Sequence, residues 1–145
     1  MLSLLVAMKH RDRILVVDDD PDACEAISGL LDQSGYAVET AADPAHALAR
    51  LAELRPDLVV SDLQMPGMSG LELIRRIQVC QPGTPVILVT GAETRDLCTG
   101  AKQYGAVDCL TKPVNPEELL WAIERALVCH RAPMHAGRRV TSSAA

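Results

Sequence analysis

Three acidic residues in a row, Asp18-Asp19-Asp20, close the apolar run Ile14-Leu15-Val16-Val17, and a fourth carboxylate, Asp62, closes Leu58-Val59-Val60-Ser61. A hydroxyl, Thr90, ends the run that starts at Val86, and an ammonium, Lys112, follows the run Val107 to Thr111. Carboxylates crowded into one small volume repel unless one protonates or a cation sits between them. A hard divalent ion with oxygen ligands answers that need. Mg²⁺ fits best, because it takes one or two carboxylates, keeps several waters and leaves room for a phosphate oxygen. A phosphoryl group on Asp62 would then meet a metal, a hydroxyl donor and a cation, the parts that phosphoryl transfer needs for positioning and charge neutralisation. Taken singly, each residue has a plainer reading: a capping cluster of aspartates, a strand-end threonine, a solvated lysine. Their joint occurrence at four strand ends is what predicts a site.

The elements that must hold these residues are legible around them. Five apolar runs, Ile14 to Asp18, Ala37 to Ala41, Leu58 to Ser61, Val86 to Thr90 and Val107 to Thr111, each precede a helix-like stretch. Strands alternating with helices call for parallel crossovers, hence an α/β domain of (βα)₅ type. If the first and third strands are neighbours, their C-terminal lips lie about 5 Å apart, and in an open parallel sheet that lip is where ligands bind. Helix starts are marked by Asp20-Pro21, Asp43-Pro44 and Asn115-Pro116, each a capping side chain before a proline. The expected helices are Asp22 to Ser34, Ala45 to Leu54, one carrying Leu71, Leu73, Ile74 and Ile77, a weak one from Thr94 to Tyr104 with Gly100 inside it, and Glu117 to about Cys129. Trp121 falls off the apolar stripe of the last.

With 145 residues, the chain has room for one domain with a real core and too little for two ordinary ones. The expected organisation is an N-terminal extension at 1–11, a single domain at 12–129 and a disordered basic tail at 130–145. Met8 is a second candidate start. The opening apolar run is short and lacks a preceding basic region, so a frayed extension is expected there rather than a signal peptide. A net charge of −5 argues against direct nucleic-acid binding, and no run approaches a membrane span. Cys24, Cys80, Cys98, Cys109 and Cys129 are odd in number and scattered, without zinc-ligand spacing. They read as free thiols of a reducing compartment, so a cytoplasmic location is expected.

Val-Val-Asp18-Asp19-Asp20-Pro21, Ser61-Asp62-Leu63-Gln64-Met65-Pro66, Val89-Thr90-Gly91 and Thr111-Lys112-Pro113 together resemble the receiver domains of two-component response regulators, CheY-like proteins. The resemblance covers residues 12 to 129. It implies a doubly wound, flavodoxin-like five-stranded parallel sheet with strand order 2-1-3-4-5. It implies Asp62 as acceptor of a phosphoryl group from a histidine of a sensor kinase or a histidine phosphotransfer protein. By position, Asp62 and Asp19 would ligate Mg²⁺ directly, Asp18 through a water, and Gln64 through its backbone carbonyl. Thr90 and Lys112 would bind the phosphoryl oxygens, and the Lys112-Pro113 bond would be cis. Departures are Cys109, where many receivers carry Tyr or Phe, and Ser69, where an Asp commonly stands. Ala92 and Gln64 flank the acceptor and are positioned to govern water access.

The expected function is therefore a phosphorylation-controlled switch, here a single-domain regulator, that engages an output partner protein through the face of helix 4, strand 5 and helix 5. It catalyses only its own phosphorylation and dephosphorylation and is otherwise not an enzyme. Three alternatives stay open: a constitutive interaction module on the same fold, a receiver fragment of a longer regulator or hybrid kinase, and an Mg²⁺-dependent aspartyl-phosphate phosphatase. The last usually needs a second acid two residues after the nucleophile, and that residue here is Gln64.

Overall fold

The computed structural model describes residues 11–91 and 95–144, with the side chains of 95, 99 and 131–144 excepted. Residues 1–10 of the expected extension at 1–11, and Ala92, lie outside the described residues; Arg11 donates to the Gly35 and Tyr36 carbonyls. The chain alternates β1 (Arg13–Val17), α1 (Pro21–Gln33), β2 (Ala37–Ala41), α2 (Pro44–Leu54), β3 (Leu58–Asp62), α3 (Gly70–Cys80), β4 (Val86–Thr90), α4 (Arg95–Ala101), a 3₁₀ turn (Lys102–Tyr104), β5 (Asp108–Thr111) and α5 (Pro116–Ala144).

All strand pairs are parallel and the sheet order is β2-β1-β3-β4-β5. The order reverses between β1 and β3, which opens a crevice at their C-terminal ends. Every residue of β3 and β4 is buried, as a central strand covered on both faces requires. Strand alternation divides the core cleanly. Ile14 and Val16 of β1 pack with Leu58, Val60, Ile87 and Val89 against α1 and α5. Leu15 and Val17 pack with Val59, Val86 and Leu88 against α2, α3 and α4.

The helix starts follow local chemistry. Asp20 caps α1 by accepting from the Asp22 amide, Asp43 caps α2 through the His46 amide, and Ser69 caps α3 through the Glu72 amide. Asn115 accepts from both Glu117 and Glu118 at the start of α5. Each satisfies a helix-end donor that the helix itself leaves unpaired. In α1 the buried stripe is Cys24, Ile27 and Leu31, with Leu30 half-buried beside it.

Two expectations differ from what is seen. Apolar periodicity stops at Leu127, so the sequence closes the fifth helix near Cys129 and gives 130–145 to a disordered tail. The backbone instead stays helical to Ala144. The stretch holds good helix formers, Ala132, Ala136, Arg138 and Arg139, alongside Pro133 and Gly137, which disfavour a helix, so propensity alone does not account for the extension. The second difference corrects the cysteine reading. Cys98 and Cys109 are not free thiols but a disulfide, because α4 folds over β5 and brings their Cα atoms to 5.6 Å, within disulfide span. Cys24, Cys80 and Cys129 are free.

Candidate phosphoacceptor site

Asp18, Asp19 and Asp20 leave β1 with three different fates. The Asp18 amide bonds the Ala41 carbonyl at 3.1 Å, which keeps the residue in line with the sheet. Its side chain is only 3% exposed, and one oxygen accepts from the Asp20 amide at 2.9 Å. Asp20 is spent on capping α1. Asp19, between them, is exposed at the lip. The capping reading of the aspartate run is thus right for Asp20 alone.

Asp62 is the last residue of β3. The parallel register pairs Val17 with Ser61 and Asp62 with Val89, so Asp62 stands beside Asp18 on one side and one residue before Thr90 on the other. Carboxylate oxygens of Asp18, Asp19 and Asp62 lie within 4.8 Å of one another. Lys112 Nζ reaches both buried carboxylates, at 3.4 Å from Asp62 Oδ2 and 3.6 Å from Asp18 Oδ2. The other Asp62 oxygen, Oδ1, faces the Gln64 amide at 3.4 Å, which brings the backbone of Gln64 to the lip.

Thr90 is fully buried at the end of β4, and its hydroxyl donates to the Gly91 carbonyl at 3.3 Å. Its own carbonyl accepts from the Lys112 amide at 2.7 Å. The two phosphoryl-binding candidates are therefore joined through one backbone hydrogen bond. The Lys112-Pro113 peptide is cis, as the resemblance implied. The structure thus brings Asp18, Asp19, Asp62, Lys112, Thr90 and Gln64 to one end of the sheet.

Electrostatics fit a cation site. Burial raises the Asp18 pKa above the ordinary carboxylate value; the Asp20 amide and Lys112 offset it only partly, while Asp62 and Asp19 add to it. Burial alone would weaken the charge on Lys112, but Asp62 and Asp18 prevail and raise its pKa. One ammonium against three carboxylates leaves net negative charge facing oxygen-only donors, the chemistry that suits a hard divalent ion and not a soft one. Cys24, just below, takes no part: burial and the Asp18 carboxylate push its thiol pKa up, keeping it protonated and unreactive.

One positioning residue escaped the sequence reading. Gly70, the first residue of α3, sits so close to the end of β3 that a Cβ would fall 2.7 Å from the Asp62 carbonyl oxygen and 2.8 Å from Leu63 Cα. Its amide also bonds the Leu63 carbonyl at 2.7 Å. The only local signal was a glycine after a capping serine, which reads equally well as a turn.

Known proteins carry a similar fold and a related sequence. Residues 14–124 match the response regulator receiver domain family. Nitrogen assimilation regulatory protein NtrX of Azorhizobium caulinodans is 38% identical over 116 residues, 79% of this chain and 26% of that protein. DNA-binding response regulator MtrA of Mycolicibacterium smegmatis is 38% identical over 118 residues, 81% of this chain and 51% of that protein. The chain therefore spans between a quarter and half of the length of these relatives. Among solved structures, a receiver domain protein from Clostridium thermocellum has TM-score 0.80 at 32% identity, covering 83% of this chain and 98% of its own. Chemotaxis response regulator CheY4 of Vibrio cholerae has TM-score 0.74 at 36% identity, covering 81% of this chain and 100% of its own. With the strand order, the acidic lip and this match in agreement, the chain belongs to the response regulator receiver domains.

Proposed function

We propose that the chain is a phosphoacceptor switch in a two-component or phosphorelay pathway, with Asp62 as the acceptor. The observation that carries this reading is Lys112 bridging Asp62 and buried Asp18 where the sheet order reverses. In the transfer, an Asp62 carboxylate oxygen attacks the phosphorus of a phosphohistidine on a sensor kinase or histidine phosphotransfer protein. A P–O bond forms, the P–N bond breaks, and the imidazole leaves with the electron pair. Lys112 neutralises phosphoryl oxygens, and the Thr90 hydroxyl donates to one of them. Asp18, Asp19, Asp62 and the Gln64 carbonyl are the groups to hold Mg²⁺, which supplies charge neutralisation and orientation of the phosphoryl group when bound.

The same residues run hydrolysis of the aspartyl-phosphate, so the chain catalyses its own labelling and release and is no multiple-turnover enzyme on a diffusible substrate. Gln64 in place of a second acid supports a switch over a phosphatase. An output partner protein is proposed on the α4–β5–α5 face, where Leu97 and Tyr104 are exposed. The setting proposed is cytoplasmic; among the described residues no helix is long and apolar enough to cross a membrane.

The test is intact-mass analysis after incubation with acetyl phosphate and Mg²⁺. The wild-type chain is expected to gain one phosphoryl group transiently, and Asp62→Asn to gain none. Full-stoichiometry labelling of that variant would sink the assignment. Multiple turnover on a phosphoester would favour a phosphatase, and an unlabelled wild type a constitutive module.

A further inference from the structure

We propose that Cys98 and Cys109 are a redox modification site, a clasp whose closure fastens α4 to β5 and whose opening frees it. The disulfide joins the middle of α4 to an edge strand across 11 positions of sequence. Other means of attachment are sparse there. Among the described side chains of α4, Ala101 alone is buried, whereas α3 buries Leu73, Ile74 and Ile77. Leu97 is 46% exposed. Gly100 lies inside the helix, and a Cβ there would meet nothing within 4 Å. Glycine within a seven-residue helix weakens it further. The covalent bond therefore does at α4 what apolar burial does at the other helices.

The clasp also sits close to the acidic site. Cys109 lies three residues before Lys112 on the strand that delivers it, and Leu88 of β4 is its register partner, two before Thr90. The segment after Thr90 leads into α4. Thr90 ends β4, the strand paired with β5, and Lys112 directly follows β5, so both phosphoryl-binding candidates adjoin the strand that the disulfide fastens to α4. A closed clasp restrains α4 when the site is filled, and an open one lets it move. That coupling, though not the clasp itself, rests on Asp62 being the phosphoacceptor.

Both cysteines are half-buried and so not sealed from solvent. The reaction is thiol–disulfide exchange with a dithiol reductant. A reductant thiolate attacks one sulfur of the Cys98–Cys109 bond, and the other sulfur leaves as a thiolate and takes a proton. The second reductant thiol then attacks the mixed disulfide, releasing the second cysteine and closing a cyclic disulfide. Two electrons and two protons pass to the protein. A low-molecular-weight disulfide drives the reverse.

The experiment is amide hydrogen exchange on the full chain, oxidised and after dithiothreitol, with mass spectrometry to count thiols. Oxidised protein is expected to present three alkylatable cysteines after unfolding, Cys24, Cys80 and Cys129, and reduced protein five. Reduction should raise exchange at residues 95–104 by about tenfold or more, while α1 is unchanged. Cys98→Ser/Cys109→Ser should match the reduced protein and ignore the reductant. If that variant fails to fold, reduced wild type supplies the open state. Equal exchange at 95–104 in both redox states, or five free thiols after mild oxidation, would overturn the clasp. Adding beryllofluoride and Mg²⁺ should then change α4 exchange more in the reduced form; an equal change in both forms refutes the coupling. If the mimic changes nothing in either form while reduction still frees α4, the reading of Asp62 fails and the clasp stands.

Discussion

Replacing Gly70 by alanine adds one methyl group at the junction between α3 and the end of β3. The three atoms it would meet, Asp62 O at 2.7 Å, Leu63 Cα at 2.8 Å and Leu63 O at 3.1 Å, all belong to backbone. None can swing aside as a side chain would. Relief requires α3 to retreat or the strand end to shift, and either stretches the Gly70–Leu63 hydrogen bond. Overpacking of this kind costs about 1–3 kcal/mol, and a weakened backbone hydrogen bond adds about 1 kcal/mol. Lower unfolded-state entropy returns about 0.4–1 kcal/mol. The net is about 1–3 kcal/mol, which for a domain of this size lowers Tm by roughly 4–12 °C. Gly29→Ala is the matched control. It lies in the interior of α1 with no atom within 4 Å of the new Cβ, so the same chemical change should raise Tm by about 1–4 °C. Thermal melts followed by circular dichroism read both. Acetyl phosphate labelling reads the displacement of Asp62, and Gly70→Ala should label more slowly. A Gly70→Ala protein that melts within a degree of wild type and labels at the same rate would refute the argument that α3 holds the acceptor strand in place.

Three other perturbations test the electrostatics and the chemistry. Because the folded pKa of Asp18 is raised, the native state binds that proton more tightly than the unfolded chain, so stability falls as pH rises from the unfolded carboxylate value through the folded one. Asp18→Asn removes the penalty and should raise the Tm of the metal-free protein at neutral pH, a gain on the order of 1 kcal/mol, while abolishing any rise in Tm on adding Mg²⁺; a lower metal-free Tm contradicts it. Lys112 has the opposite sign: its raised pKa stabilises fully below the unfolded lysine value of about 10.4, and the benefit is lost as pH rises through the folded value. Tm profiles of wild type and Lys112→Met should therefore converge only in strong alkali, and convergence already at neutral pH would show that the ion pairs contribute nothing. Gln64→Met keeps side-chain length but removes an amide able to orient a hydrolytic water; pulse-labelled protein should show a longer-lived aspartyl-phosphate, and an unchanged decay rate counts against it.

Features set by neighbours in sequence were the legible ones. Asp20-Pro21, Asp43-Pro44 and Asn115-Pro116 cap helices because capping needs only a side chain and the next turn. The continuous apolar runs of β3 and β4 marked strands, and the placement of Asp62 and Thr90 followed from where those runs stop. What stayed hidden depends on contacts between distant segments. Cys98 and Cys109 meet only because α4 crosses β5, and their spacing carries no local signature. Gly70 matters through the backbone it touches, which nothing in Ser69-Gly70-Leu71 reveals. In α5 the periodic signal reports burial, so it ends with Leu127 although helical backbone continues.

The alternation along β1 has a further consequence. Ile14 and Val16 face one layer, Leu15 and Val17 the other, and β3 and β4 repeat the division. The sheet is in effect a bulkhead with a separate compartment on each side. Loosening α4 disturbs the compartment that also holds α2 and α3, because among its described side chains the buried one, Ala101, belongs there and none belongs to the core under α1 and α5. A part that must move and a part that must not can then share one short chain. Substitutions beneath α1 and α5, such as at Leu31 or Ile123, should set how long the protein survives heat, while those around α4 set how readily it changes shape.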